Sequence, residues 1–143
     1  MNILEHYKAG STPEAIVMDC LNMLKEQGAR SFKEGTDECL YYDHCTGNKC
    51  AVGLLLPDAK VAAESYSSAI SLVHDLTDYM ELGGRIDDFE ELKDAITHYQ
   101  DELVGLQSFH DSLNCTGYDY LMDLVPEDLL REVKLKLFCE DLL

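Results

Sequence analysis

The sequence predicts a single α+β domain, mostly helical, with one β-hairpin at about residues 39–56 and a long helix at about residues 88–114. Three observations predict it. Apolar and aromatic residues recur in alternating steps of three and four from Phe89 to Leu113. Two other stretches place helix-start signals ahead of an apolar pattern of helical period. Two β-prone runs flank a turn at Gly47-Asn48. The 143 residues have the length of one domain, and 46% hydrophobic content is enough for a packed core. No internal repeat, low-complexity stretch or long polar linker divides residues 1–143.

The elements follow in chain order. In Ser11-Thr12-Pro13-Glu14, Ser11 is placed to cap free backbone N–H groups and Glu14 to reach back, while Pro13 sits in the first turn, where its missing N–H costs nothing. Ile16, Val17, Cys20, Leu21 and Leu24 then recur at helical spacing, and Gly28 stops the helix. Cys39 to Asp43 and Cys50 to Leu56 read as the two strands of the hairpin, ended by Pro57-Asp58. From Asp58 the pattern turns helical through Val61, Ala62, Ile70, Val73, Leu76, Met80 and Leu82, with Ser65 to Ser68 as a division and Gly83-Gly84 as the close. Asp87 is placed to cap the long helix, whose seam is Phe89, Leu92, Ile96, Tyr99, Leu103, Leu106, His110 and Leu113. At 1.5 Å per residue it would form a rod roughly 40 Å long. The seam serves either this domain's own core or a homodimeric coiled coil, and the core is favoured because other helices are available to pack on it. A short turn at Tyr120, Leu121 and Leu124 precedes a last helix opened by Pro126-Glu127-Asp128, with Leu130, Val133, Leu137 and Phe138 facing inward and Lys134 and Lys136 suited to the helix dipole.

Charge narrows the function classes. With 28 acidic and 11 basic residues the net charge is −17, which argues against direct contact with nucleic acid or an anionic membrane. A basic partner or a bound cation suits it better. Residues 50–130 hold 17 of the acids against three bases, so the excess is concentrated there. Asp87, Glu91, Asp94 and Asp101, with Glu102 beside them, lie along the long helix away from its apolar seam. One carboxylate per turn weakens a helix by repulsion, so the stripe is either a solvated face or a surface for Lys and Arg. MNILEHYKAG lacks the basic-then-apolar pattern of a signal peptide, and no run of about 18 apolar residues occurs, so a cytoplasmic protein is expected.

Cys39, His44, Cys45 and Cys50 put four soft ligands within twelve residues, the inventory a zinc site needs. The close-set Cys-x-x-Cys pair is missing, and structural thiols with no cofactor are the favoured reading. His110-Asp111 and His74-Asp75 read as hydrogen-bonded structural histidines before acid–base groups. No phosphate-binding loop, nucleophile elbow or EF-hand pattern is present.

Cys39-Leu40-Tyr41, then Gly47-Asn48-Lys49-Cys50-Ala51-Val52-Gly53-Leu54-Leu55-Leu56-Pro57-Asp58, and later Leu106-Gln107-Ser108-Phe109-His110-Asp111, resemble segments of small bacteriophage and prophage proteins without an established activity. The likeness covers about a fifth of the chain, and it departs from the pattern by one extra turn residue and by His44-Cys45. It implies a phage context and a hairpin-plus-helices unit, and no chemistry. The expectation is therefore a non-enzymatic acidic protein that binds and inhibits a basic host protein, such as a nucleic-acid-handling defence factor, by DNA mimicry. Asp87, Glu91, Asp94, Asp101 and Glu102 are the contact candidates. A small zinc-binding module and a self-associating structural or regulatory protein are the alternatives.

Overall fold

The structure, a computed structural model, describes residues 1–31, 42–58, 72–111 and 116–138. Among them eight helices follow one another: α1 (Ile3–Ala9), α2 (Pro13–Gln27), α3 (Ala51–Leu55), α4 (Leu72–Glu81), α5 (Phe89–His98), α6 (Gln100–Asp111), α7 (Thr116–Met122) and α8 (Glu127–Leu137). The core runs along α2, α3, α6 and α8, with α1 and α5 packed together at one end and α7 laid on α6. Ile16, Val17, Cys20, Leu21 and Leu24 are all buried, as the spacing on α2 predicts. Burying one such aliphatic side chain contributes about 1.5–3 kcal/mol, which is why α2 can anchor the domain.

α1 was not foreseen. Its cap is a reciprocal box: the Asn2 side chain accepts from the Glu5 N–H, and the Glu5 carboxylate accepts from the Asn2 N–H, both at 2.9 Å. Gly10 ends it in the left-handed conformation at φ 71°. The cap of α2 lies one residue later than expected, because the Thr12 hydroxyl accepts from the Ala15 N–H at 3.2 Å while Ser11 turns to His6.

The hairpin expectation needs correction. Its turn exists: Gly47 is left-handed at φ 77°, and the Asp43 carboxylate accepts from the Cys45 N–H and the Thr46 hydroxyl. Pairing stops at one isolated antiparallel bridge, Tyr42 to Lys49, and no strand forms among the described residues. Residues 39–41 lie outside them. The expected second strand is instead the short helix α3, whose cap is the Cys50 thiol, accepting from the Gly53 N–H at 3.3 Å. A short apolar run reads the same in a buried strand and a buried helix, and here Ala51, Val52, Gly53 and Leu55 are buried on a single helical turn.

The long helix is also corrected: it is two. Tyr99 leaves the helical region at φ −102°, ψ 20°, dividing α5 from α6. Its hydroxyl donates to the Ser11 carbonyl at 2.7 Å and lies 3.3 Å from that of His6, so the ring is held to the α1–α2 turn. The anchor accounts for the interruption without Pro or Gly. Asp88 precedes α5 in the left-handed region with no side-chain cap bond, and Asp87 is no cap either. The seam residues Leu92, Ile96, Tyr99, Leu103, Leu106 and His110 are nonetheless buried within the chain's own core. Residues 112–114, the expected end of the rod, lie outside the described residues, as do 59–71, where most of the preceding helix was expected. Leu82, read as apolar lining, is 89% exposed beyond the end of α4.

Candidate partner-binding surface

The acidic stripe is less uniform than its sequence. Asp87, Glu91, Asp94 and Asp101 are exposed, but two are paired: Asp87 with Arg85 at 3.3 Å and Glu91 with Lys8 at 3.4 Å. Glu90 likewise meets Lys93 at 3.1 Å. Asp94 and Asp101 have no such partner among the described residues. Glu102 departs most from expectation. It is only 7% exposed and belongs to the inner face of α6.

Beyond Asp101 the stripe runs into a groove. Asp101, Val104 and Ser108 follow at steps of three and four, which aligns them on one face of α6; Thr97 at the end of α5 continues that wall, and Tyr120 of α7 forms the opposite one. The groove has a volume of about 600 Å³. Two glycines make it. A Cβ on Gly117 would lie 2.3 Å from the Gly105 carbonyl oxygen, and one on Gly105 would lie 2.7 Å from the Tyr120 ring. With neither present, the two backbones meet and the flanking side chains stand above them. Tyr120 is 38% exposed. Burial, and then the nearby charges of Glu102, Asp101 and Glu14, push its phenol above the ordinary tyrosine value.

His110 is hydrogen-bonded through both ring nitrogens, as the pattern predicts. That ring is buried, and its Nε2 accepts the Ser31 N–H at 3.1 Å. The proton therefore sits on Nδ1 and is donated to Asp111 at 2.7 Å, an assignment made from the hydrogen-bond network. Gln107 donates to the same carboxylate oxygen at 2.8 Å while its Oε1 accepts the Val52 N–H at 3.2 Å. Residues 49–53 and 106–111, two segments that carry the phage-protein resemblance, are thus joined by the buried Val52–Gln107 bond, with Asp111 bracing Gln107. Gln27 adds a second clamp, bonding both the N–H and the carbonyl of Lys49 at 2.9 and 2.7 Å. His74 differs from expectation: it is exposed, and its Nε2 lies 3.4 Å from Asp78 on the next turn.

A third network escaped the sequence reading. His6 is buried between Ser11, at 2.8 Å from Nδ1, and Asp19, at 2.7 Å from Nε2. The order hydroxyl–imidazole–carboxylate is that of an activated nucleophile. Here Ser11 lies on the α1–α2 turn and Asp19 on α2, and the Ser11 N–H donates to the His6 carbonyl at 3.0 Å. The network joins α1 to α2. The Asn2–Glu5 box and Gly10 were the signals that could have announced α1.

Of the cysteine group, the described members His44, Cys45 and Cys50 do not form a metal-holding set. Cys50 is buried as the α3 cap, Cys45 is exposed, and the exposed His44 ring packs edge-on against Tyr42 at 5.1 Å. Cys39 lies outside the described residues, and among those described no three His, Cys, Asp or Glu side chains form a metal-holding group. Burial, with Cys50 and Asp19 nearby, pushes the Cys20 thiol far up, so it behaves as an inert hydrophobe. No described helix is long and apolar enough to cross a membrane. No protein-family model matches the chain, and neither does any curated protein or solved structure.

Proposed function

We propose that this chain is a non-catalytic acidic protein that binds a basic protein and blocks it by presenting phosphate-like charge. A nucleic-acid-handling factor of a phage-infected host fits that chemistry. One observation carries the reading. Lys8, Lys25, Arg85, Lys93 and Arg131 are each paired with a carboxylate of this chain, and Arg30 and Lys134 lie over aromatic rings. Among the described residues the bases are thus largely engaged within the molecule, and uncompensated carboxylates set the outward field. Asp94 and Asp101 are the leading contacts, with Asp87 and Glu91 at their margin. Glu102, on the inner face of α6, is set aside as a contact. Self-association through the Phe89–Leu113 seam loses its support, because the described seam residues fill this chain's own core.

The test is affinity capture from a bacterial lysate with the wild type and with Glu91→Lys/Asp94→Lys/Asp101→Lys as bait. The wild type should retain a basic protein in a salt-sensitive manner and inhibit its nucleic-acid binding. The triple variant should keep its helical circular dichroism and lose both. Equal capture and inhibition by the two baits would overturn the reading.

A further inference from the structure

Resting on that function, we infer that the groove between α6 and α7 takes an arginine side chain from an extended segment of the basic partner. The groove lies where the acidic stripe ends, and its volume of about 600 Å³ falls within the range of roughly 300–1,000 Å³ typical of ligand sites. Its chemistry is complementary to a guanidinium at three points. Asp101, at the rim, is an exposed carboxylate with no partner among the described residues, so it can accept two parallel N–H donors. Tyr120 offers a ring on the opposite wall, on which a planar cation can stack. The charges of Glu102, Asp101 and Glu14 all reach that ring and deepen the negative potential over it. Val104 gives the aliphatic stem an apolar wall, and no basic residue lines the cleft among the described residues. A lysine would satisfy the charge but neither the fork nor the stacking surface, so arginine is the specific occupant.

The experiment titrates the full chain with a hexa-arginine peptide and a hexalysine peptide of equal charge, followed by NMR shifts of the α6 and α7 amides. Three variants separate shape from charge: Asp101→Asn, and the charge-neutral Tyr120→Ala and Ser108→Trp, each checked by circular dichroism. Hexa-arginine should bind at least about tenfold tighter than hexalysine, and each variant should cost about tenfold in hexa-arginine affinity. Ser108→Trp adds bulk to the groove without touching the stripe or the tyrosine, so it keeps the test independent of any loss of packing in Tyr120→Ala. If the two peptides bind equally and both neutral variants behave as wild type, the groove is overturned as the arginine site. Capture of the basic partner by the stripe would stand in that case. Failure of the stripe itself is read separately, from the lysine triple variant.

Discussion

α5 and α6 share one apolar repeat, and they are held in the fold in different ways. α5 is one-sided: Leu92, Ala95 and Ile96 face inward, chiefly toward α1, and its outer face carries carboxylates tied to Lys8 and Lys93. α6 is surrounded by α2, α3, α7 and α8, and it buries Glu102, Gln107 and His110 as well as its apolar residues. The same three-and-four spacing therefore reports which residues face the core, but not how many neighbours a helix has. That number depends on which other elements arrive, and it decides which carboxylates reach solvent. Asp94 is exposed, and Glu102 keeps only 7% of its surface exposed.

The widest separation between the two helices should appear on truncating an aromatic residue in each. Phe109 on α6 is fully buried, stacked on Tyr118 at 6.0 Å, with the Lys134 ammonium 4.3 Å from its ring centre. Phe109→Ala should cost about 3–5 kcal/mol, because it leaves a cavity and removes the face on which a buried cation rests. Phe89, at the start of α5, is only partly buried, and Phe89→Ala should cost under about 1.5 kcal/mol. Urea unfolding of both variants measures the gap. Equal costs would mean that α5 is as deeply embedded as α6.

The glycine contact gives the next largest effect. In Gly117→Ala the new Cβ meets backbone, the Gly105 carbonyl and the Phe109 N–H, which can give way only if α7 lifts from α6. Alanine is ordinarily the better helix former by about 0.5–1 kcal/mol. Even so, Gly117→Ala should destabilise by roughly 1–3 kcal/mol through overpacking. Gly105→Ala meets the ring of Tyr120, a side chain that can swing outward, so it should cost less. The order of the two urea midpoints checks this, and a reversal would mean that the ring, not the backbone, is the immovable partner.

Much of the fold was legible because its signals are local. Pro13 and Gly28 bracket α2, Gly83 lies just past α4, and Pro126 opens α8, each through a backbone preference that needs no tertiary partner. The errors lie where tertiary contacts decide. Residues 50–56 are apolar enough for either conformation, and the cap that selects the helix is a buried thiol. Tyr99 continues the repeat perfectly and still divides the helix, because its hydroxyl is bound to a turn almost ninety residues earlier. Lys134, read as a dipole partner near the end of α8, is instead buried and donates to the Phe109 carbonyl. At the candidate surface, Asp94 and Asp101 followed from period alone. The groove did not, since Tyr120 reaches it only through the Gly105–Gly117 contact, and two glycines in separate helical stretches were its one trace in the sequence.

The smallest effect lies on the α5 side and depends on pH. Asp19 holds His6, and through it the α1–α2 turn to which Tyr99 is also bound. Burial pushes the Asp19 carboxyl up, but hydrogen bonds from His6 and from the chain's amino terminus outweigh this and hold it below its ordinary value of 3.8. A carboxylate with a depressed folded-state pKa binds its proton more readily in the unfolded chain. Its contribution is therefore complete above the ordinary value and disappears as pH falls through the folded one. Asp19→Asn should accordingly be less stable than wild type near neutral pH, and the difference should close as the pH is lowered below 3.8. The loss should be local before it is global: amide exchange should rise in α1 and α5 while α6, held by α2, α3, α7 and α8, keeps its protection. If exchange rose equally in α5 and α6, the two helices would open as one cooperative unit, and the division at Tyr99 would have no energetic meaning.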